Sequence, residues 1–568
     1  MQPLFLGRSI SYFGGLVIAT LGALQVLAAP INLPSVDAGQ SWQELQTQPV
    51  LIEKPVTTPL LSPQMNSNKT PNAKEVTLAL SFITFEGNKV FSGKELTAVT
   101  DNRYDQEVTL ADLQEAADKV TAFYREQGYL VAYAYLPQQE VVDGEVKIRV
   151  VEGNLSEVRI QNHSLVSNQQ IEKTLKNQLS INKPLESHEA NRAFLLLKDL
   201  PGIDLVDPGL YPGQAPGSTA IDLILQGEKR YGGQIGLDNY GNHYTGHYRL
   251  TGGFSANSLM GVGDQLNIKA AISQNDGLDY LQAGWDRPVF YDGLRLGGSI
   301  SNTTYELGKS YKSLDAYGTA QSFSLYGSSP IILSPYRRLD VSFSLEHRRL
   351  SDTVGVSSIS SRKSANVFVL SIDNHRFDSF YYGGMNAWHI TNTFGKLSMD
   401  SNDAKDFDEQ SSAPTSGTFD KLVARFERIQ YLPWRFSLYG NVLAQWANTN
   451  LDTSEKLFLG GPHAVRAYPQ GEASGDLGML MNGELRLALY DGLQLKTFYD
   501  YGFVRVSYDG YPTGPDYRSL GGGGFGLSST WLSQRLTLDS SVAYRFTRAP
   551  SSDSDKTPRF WLQLGYLF

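Results

Sequence analysis

The chain has 568 residues, no cysteine and a formal net charge of -9. Without thiols there are no disulfides and no thiolate-held metals, and an acidic balance gives no reason to expect nucleic acid, whose phosphates need a concentrated basic surface. Only 19% of residues are charged while 54 are Gly and 31 are Tyr, which suits many strands with rings at a wet boundary and suits a helical bundle poorly.

The first residues, MQPLFLGRSISYFGGLVIATLGALQVLAAP, place Arg8 before an apolar run from Tyr12 to Leu27 and a small-residue exit at Val26-Leu27-Ala28. That order fits a secretory signal peptide over residues 1–28. The run is too short to span a membrane comfortably, and no later apolar run reaches the roughly 18 residues of a membrane helix. Residues 29–76 hold one short helical stretch, VDAGQSWQELQTQ, and then a linker punctuated by proline, PVLIEKPVTTPLLSPQMNSNKTPN.

Residues 77–153 read strand, helix, helix, strand, strand: LSFITFEGN, SGKELTAV, TLADLQEAADKVTAFYREQGY, LVAYAYLP and EVKIRVVEG. In the second helix Thr109 and Asp112 have capping-box spacing, with the acid one carbon short. Leu113, Ala116, Ala117, Val120, Phe123 and Tyr124 make one apolar face, and Gly128 ends the helix. Residues 154–227 repeat the plan with LSEVRIQNH, SNQQIEKTLKNQL, ESHEANRAFLLLKDLPG, IDLVDPGLY and TAIDLILQGE. The stretches FEGNKVFSGKEL and YREQGYLVAYAYLPQQ resemble a polypeptide-transport-associated (POTRA) domain. The tandem pair resembles the periplasmic part of two-partner secretion transporters (TpsB) of the haemolysin secretion/activation type.

After Gly227 the apolar period becomes two and stays there, as in YRLTGGFSA, DQLNIKAAIS, FSLYGNVLAQW, LQLKTFYDYGFV, RLTLDSSVAYRF and RFWLQLGYLF. Such alternation sets apolar residues toward lipid and polar ones toward a lumen. Residues 228–568 divide into about sixteen strands, an even number that lets an antiparallel sheet close without an exposed edge. A soluble β-sandwich competes, but faces carrying Lys496, Asp500, Arg535 and Asp539 are polar where a sandwich needs a dry interior. The expected fold is therefore α+β tandem POTRA domains followed by an all-β transmembrane barrel. The chain stops on Phe568, in phase with Phe560, Leu562, Leu564 and Tyr566, which resembles the C-terminal assembly signal of bacterial outer-membrane barrels.

A barrel of that size encloses water, so something must stop it leaking. Between the eleventh and twelfth strands lies a long loop, residues 448–477, carrying GGPHAVRAYPQGEASGD; loops of such length are uncommon unless functional or disordered. In the thirteenth strand, LQLKTFYDYGFV, alternation turns Leu493, Leu495, Tyr499 and Tyr501 outward and Lys496, Phe498, Asp500 and Gly502 inward. A carboxylate on the inner wall needs a cation, which Arg466 on an inward-folded loop supplies; Lys496, two positions back on the same face, is a rival partner. Here the resemblance is specific. Val465-Arg466-Ala467-Tyr468 looks like the VRGY-type loop signature of this transporter superfamily, and Phe498, Asp500 and Gly502 match its FxDxG signature on the wall. Ala467 departs from the family's Gly, which puts the loop-tip backbone in question because Ala tolerates positive φ poorly. The family's N-terminal helix, which can occupy the pore, is similar to DAGQSWQELQ.

The resemblance implies an outer-membrane transporter of a Gram-negative type bacterium with its POTRA domains in the periplasm. It implies binding of an unfolded partner exoprotein, TpsA type (a haemolysin or adhesin), and export through the barrel without ATP. The family's strand order makes Leu130 to Pro137 an exposed sheet edge, with Leu130, Ala132, Tyr133 and Tyr135 as candidate substrate-binding residues that equally suit core and edge protection. Further implied partners are outer-membrane lipid and, during biogenesis, the barrel assembly machinery. The alternative within the superfamily is an assembly or insertion factor, which usually carries more POTRA units. A diffusion porin needs no periplasmic modules, and an enzyme lacks a centre: there are only eight histidines and no HExxH or GxSxG in a suitable setting. No catalytic residue, cofactor or metal is expected.

Overall fold

The structure, a computed structural model, describes residues 36–46, 77–100, 106–510, 515–553 and 556–568. The expected signal peptide and the proline-rich linker lie outside the described residues.

The first βααββ unit builds around the helix Leu110–Glu126. Thr109 caps it, and its hydroxyl and the Asp112 carboxylate satisfy each other's backbone N–H groups as the spacing predicts. Gly128, at φ 95°, ends it in a Schellman turn in which Tyr129 N–H donates to Tyr124 O at 2.9 Å. Leu113, Ala117, Val120 and Tyr124 are buried against Val146, Ile148 and Val150 of the strand Glu145–Val151. That strand is central, with Phe82–Glu86 parallel on one side and Tyr133–Tyr135 antiparallel on the other. The pattern LSFITFEGN predicts one strand from Leu80 to Asn88; the chain instead breaks at Ser81, and Thr77–Leu80 pairs with a further strand, Gln106–Thr109. The second unit repeats the plan, with Ser218–Gly227 central between Asn154–His163 and Ile203–Pro212. Its helices Asn168–Gln178 and Ser187–Lys198 bury Ile171, Phe194 and Leu197 against Ile221, Leu223 and Leu225.

From Tyr231 to Leu567 sixteen antiparallel strands close into one barrel, each paired with its sequence neighbour and the last with the first. Among the described residues no helix is long and apolar enough to cross a membrane. Their outward residues, among them Ile235, Leu250, Phe323, Phe368, Phe426 and Tyr499, are exposed and apolar or aromatic. The closing seam is short: five residue pairs, from Gln563 with Asp238 to Leu567 with Gln234. Beyond it the Asn239 side chain extends the pairing, accepting from Leu562 N–H at 2.8 Å and donating to Phe560 O at 2.9 Å.

Candidate functional site

The eleventh barrel strand (Phe436–Ala447) and the twelfth (Leu477–Tyr490) are joined by a loop that folds back into the lumen. A short ladder, Leu457 with Gly475 and Phe458 with Ser474, forms its stem. Above the stem Leu459 N–H donates to Ala473 O and Val465 N–H donates back to Leu459 O, curling the tip. The glycines permit that curl: a Cβ on Gly460 would lie 2.2 Å from Pro469 O, and Gly461 sits at φ 133°.

The curl delivers Arg466 to the wall. Its main-chain N–H donates to Asp500 Oδ2 at 3.1 Å, Nε to the same oxygen at 2.8 Å and Nη2 to Oδ1 at 2.7 Å. Asn482 Nδ2 adds a fourth donor to Oδ1 at 2.9 Å, so a carboxylate with 0% exposure has its acceptor capacity filled. The remaining arm, Nη1, donates to Glu484 Oε1 at 2.6 Å, and the guanidinium carbon lies 3.5 Å above the Phe498 ring. Fork geometry and stacking together require Arg, since a lysine supplies one point charge. The rival is resolved by distance: Lys496 Nζ pairs with Asp539 Oδ2 at 2.6 Å.

The neighbours hold this geometry. Val465 and Tyr468 are fully buried, and the Tyr468 hydroxyl donates to Arg548 O at 2.7 Å. Gly502 leaves space for Leu459, whose Cδ2 would lie 2.8 Å from an added Cβ. Ala467 has negative φ, so the loop has no need of Gly there, and its methyl faces Gly522, where a Cβ would approach it to 2.4 Å. Trp561, on the last strand, donates Nε1 to Arg466 O at 2.7 Å. Three contributors escape the motif reading: Glu484, Asn482 and Trp561. Alternation marks each as inward, but only the register of strands twelve, thirteen and sixteen places them at the arginine.

Glu484 also continues the network around the lumen. Arg486 donates to it at 2.8 Å and lies 4.2 Å above the Tyr439 ring. The Tyr439 hydroxyl donates to Glu427 at 2.8 Å, and His389 beside it meets Asp373 at 2.6 Å. The inner wall is thus a belt of paired charges from the eighth strand (Ile359–Asp378) to the thirteenth (Leu493–Arg505).

A second element shares the lumen. The helix Ala38–Gln46 lies against the inner faces of the strands Arg295–Glu306, Ala316–Ser334 and Arg337–Val354 and against the turn Thr453–Glu455 of the loop. Ala38 N–H donates to Asp352 Oδ1 at 2.8 Å, Gln43 donates to Lys456 O at 2.9 Å, and Arg348 stacks 4.1 Å above Trp42. The helix fits because Gly39 and Gly471 lack side chains: a Cβ on Gly471 would lie 2.1 Å from Gln40 Nε2. Loop and helix therefore pack together across the channel.

At the sheet of the first unit the structure narrows the candidate edge to Tyr133–Tyr135. Ala132 is fully buried in that unit's core and Leu130 packs against the core of the second, so neither side chain faces a peptide at the edge. The Ala134 N–H is already taken by Thr121 Oγ1 at 2.9 Å, which leaves the rings of Tyr133 and Tyr135, 6.0 Å apart, as the edge's outward feature. At the other end of the chain, Phe568 N–H donates to Gly233 O at 3.0 Å and its ring covers Gly233.

Residues 78–153 match the ShlB-type POTRA domain, and residues 217–529 match the haemolysin secretion/activation protein family ShlB/FhaC/HecB. The heme/hemopexin transporter protein HuxB of Haemophilus influenzae strain 86-028NP is 30% identical over 413 residues, 72% of each chain. The outer membrane transporter CdiB of Dickeya dadantii is 23% identical over 81% of this chain and 82% of its own. Among solved structures, CdiB from Escherichia coli superposes with a TM-score of 0.71 over 94% of this chain and 96% of its own, at 18% identity, a likeness of fold. A POTRA unit followed by a closed sixteen-stranded barrel, with a loop arginine paired to the wall, is thus joined to a family match over more than half of the chain. The chain belongs to the haemolysin secretion/activation family of outer-membrane transporters, with its POTRA domains in the periplasm.

Proposed function

We propose that this transporter carries one large secreted partner, a haemolysin or adhesin type exoprotein, which it meets unfolded in the periplasm and passes through the barrel. The observation that carries the reading is the double closure of the lumen by parts of the chain itself. The helix Ala38–Gln46 and the loop that bears Arg466 are each tethered to the wall by polar bonds that can be exchanged for others without breaking the barrel. An outer membrane offers no ATP, so direction comes from folding of the partner outside. The exposed Tyr133 ring and the half-buried Tyr135 ring at the first unit's edge supply apolar contacts for an extended segment. The apolar outer wall meets lipid, and Phe568, closing on the first strand, is the residue the barrel assembly machinery recognises.

The test is export. The chain is expressed with the exoprotein encoded beside it, and the medium is compared for intact, deleted and Arg466→Ala transporters. The proposal expects the partner in the medium only with the intact chain and a marked loss with Arg466→Ala. Partner in the medium regardless of the chain, with other barrel proteins failing to assemble in the deletion, would replace it by the insertion-factor reading.

A further inference from the structure

At the end of the barrel away from the POTRA domains, three ligating side chains from opposite ends of the barrel sequence converge. His243 and His247 lie in the loop between the first strand (Tyr231–Asp238) and the second (Arg249–Asn257), and Asp553 lies in the loop that leads into the last strand. One ring nitrogen of each histidine and a carboxylate oxygen of Asp553 lie within 4.8 Å of one another. His243 Nδ1 is 3.3 Å from His247 Nε2 and 2.9 Å from Asp553 Oδ1. A tetrahedral zinc with bonds near 2.0 to 2.1 Å sets its ligand atoms about 3.3 Å apart, so small side-chain adjustments admit the ion.

The surroundings are those of a held site. The Asp553 side chain is fully buried, Arg559 Nη1 donates to its Oδ2 at 3.1 Å, and its Oδ1 faces His243 Nδ1. The His243 side chain is 24% exposed, so a fourth position opens to water. Two imidazoles and one carboxylate suit Zn2+ and similar transition ions over Mg2+ or Ca2+, which take oxygen ligands. No local spacing marks this cluster, because its third ligand comes from the far end of the chain.

We propose that His243, His247 and Asp553 bind a divalent transition-metal ion that clips the first surface loop to the last across the barrel's closing seam. The placement gives the clip a consequence. The seam beneath it has five residue pairs, and the segment that bears Asp553 is tied to the arginine loop through Glu472, which accepts from Ser551 N–H at 3.1 Å and Ser552 N–H at 2.9 Å. A metal on the outer face therefore stiffens both the seam and the loop that closes the lumen.

The test titrates Zn2+ into the full chain, purified in detergent without a polyhistidine tag, against a chromophoric competitor, with His243→Gln and His247→Gln alongside. Each variant is checked for a closed barrel by heat-modified gel mobility, and amide exchange around residues 239–248 and 546–553 is followed in the intact chain with and without Zn2+. The proposal expects one ion per chain, binding at least about tenfold weaker in either variant, and slower exchange in both loops of the intact chain with the metal. It is overturned if the intact chain binds no Zn2+, if both folded variants bind it equally well, or if added metal leaves exchange in both loops unchanged.

Discussion

Replacing Arg466 by alanine probes the anchor at its centre. The change removes two of Asp500's four donors, leaving the Arg466 main-chain N–H and Asn482, while Glu484 keeps Arg486. The loss therefore falls mainly on Asp500, a fully buried carboxylate stripped of its cation, and breaking such a pair costs about 3–5 kcal/mol. At about 1.4 kcal/mol per tenfold, that moves the ratio of docked to released loop by roughly two to three and a half powers of ten. Amide exchange reads this in the full chain, because the Leu459, Gly460 and Val465 N–H groups are bonded only in the curled loop. These amides should exchange about a hundredfold faster in Arg466→Ala, and open conductance in planar bilayers should rise. In the double variant with Asp500→Ala the two costs should fall short of their sum by roughly 2 kcal/mol, since neither charge is then stranded. Unchanged exchange in Arg466→Ala, or costs that simply add, would refute the reasoning.

Other outcomes follow from the same packing. Gly522→Val places side-chain atoms where Ala467 sits and should release the loop tip while leaving the barrel closed, read as faster exchange at Val465 with unchanged gel mobility. Gly471→Leu collides with Gln40 at a backbone φ of 79°, and should free the helix, seen as increased conductance and proteolysis near residue 46. Trp561→Phe leaves Arg466 O without its buried donor and should weaken docking by about 1–3 kcal/mol, a smaller effect than Arg466→Ala in the same exchange assay. Tyr133→Ala with Tyr135→Ala should lower capture of the partner by the full chain roughly tenfold with little change in thermal stability, because one ring is exposed, the other half-buried, and neither belongs to the unit's buried core.

What was legible in the sequence divides along physical lines. Period-two alternation in the thirteenth strand placed Phe498 and Asp500 on the inside, because every second residue of a strand faces one side whatever the register. Thr109, Asp112 and Gly128 marked both ends of their helix because caps act through neighbours within a few residues. Glu484 and Trp561 were hidden, since their nearness to Arg466 depends on cross-strand register and on closure between chain ends. The edge at Tyr133 was legible as a strand, yet its occupation by Thr121 was not, as that hydroxyl belongs to a helix one turn of topology away. The departure at Ala467 finds its reason in Gly522, a partner that no local pattern names.

A transport intermediate, arrested by fusing a fast-folding domain to the partner's C-terminus, would show where the polypeptide runs. Photocrosslinkers at the inward positions Asp373, His389 and Tyr439 and at the outward positions Phe368, Phe426 and Tyr499 would sample both faces of the wall. Crosslinks from the inward set alone, together with loss of protection in the arginine loop, are the predicted result. Crosslinks from the outward set, or an arrested partner with the loop still docked on Asp500, would contradict passage through the lumen.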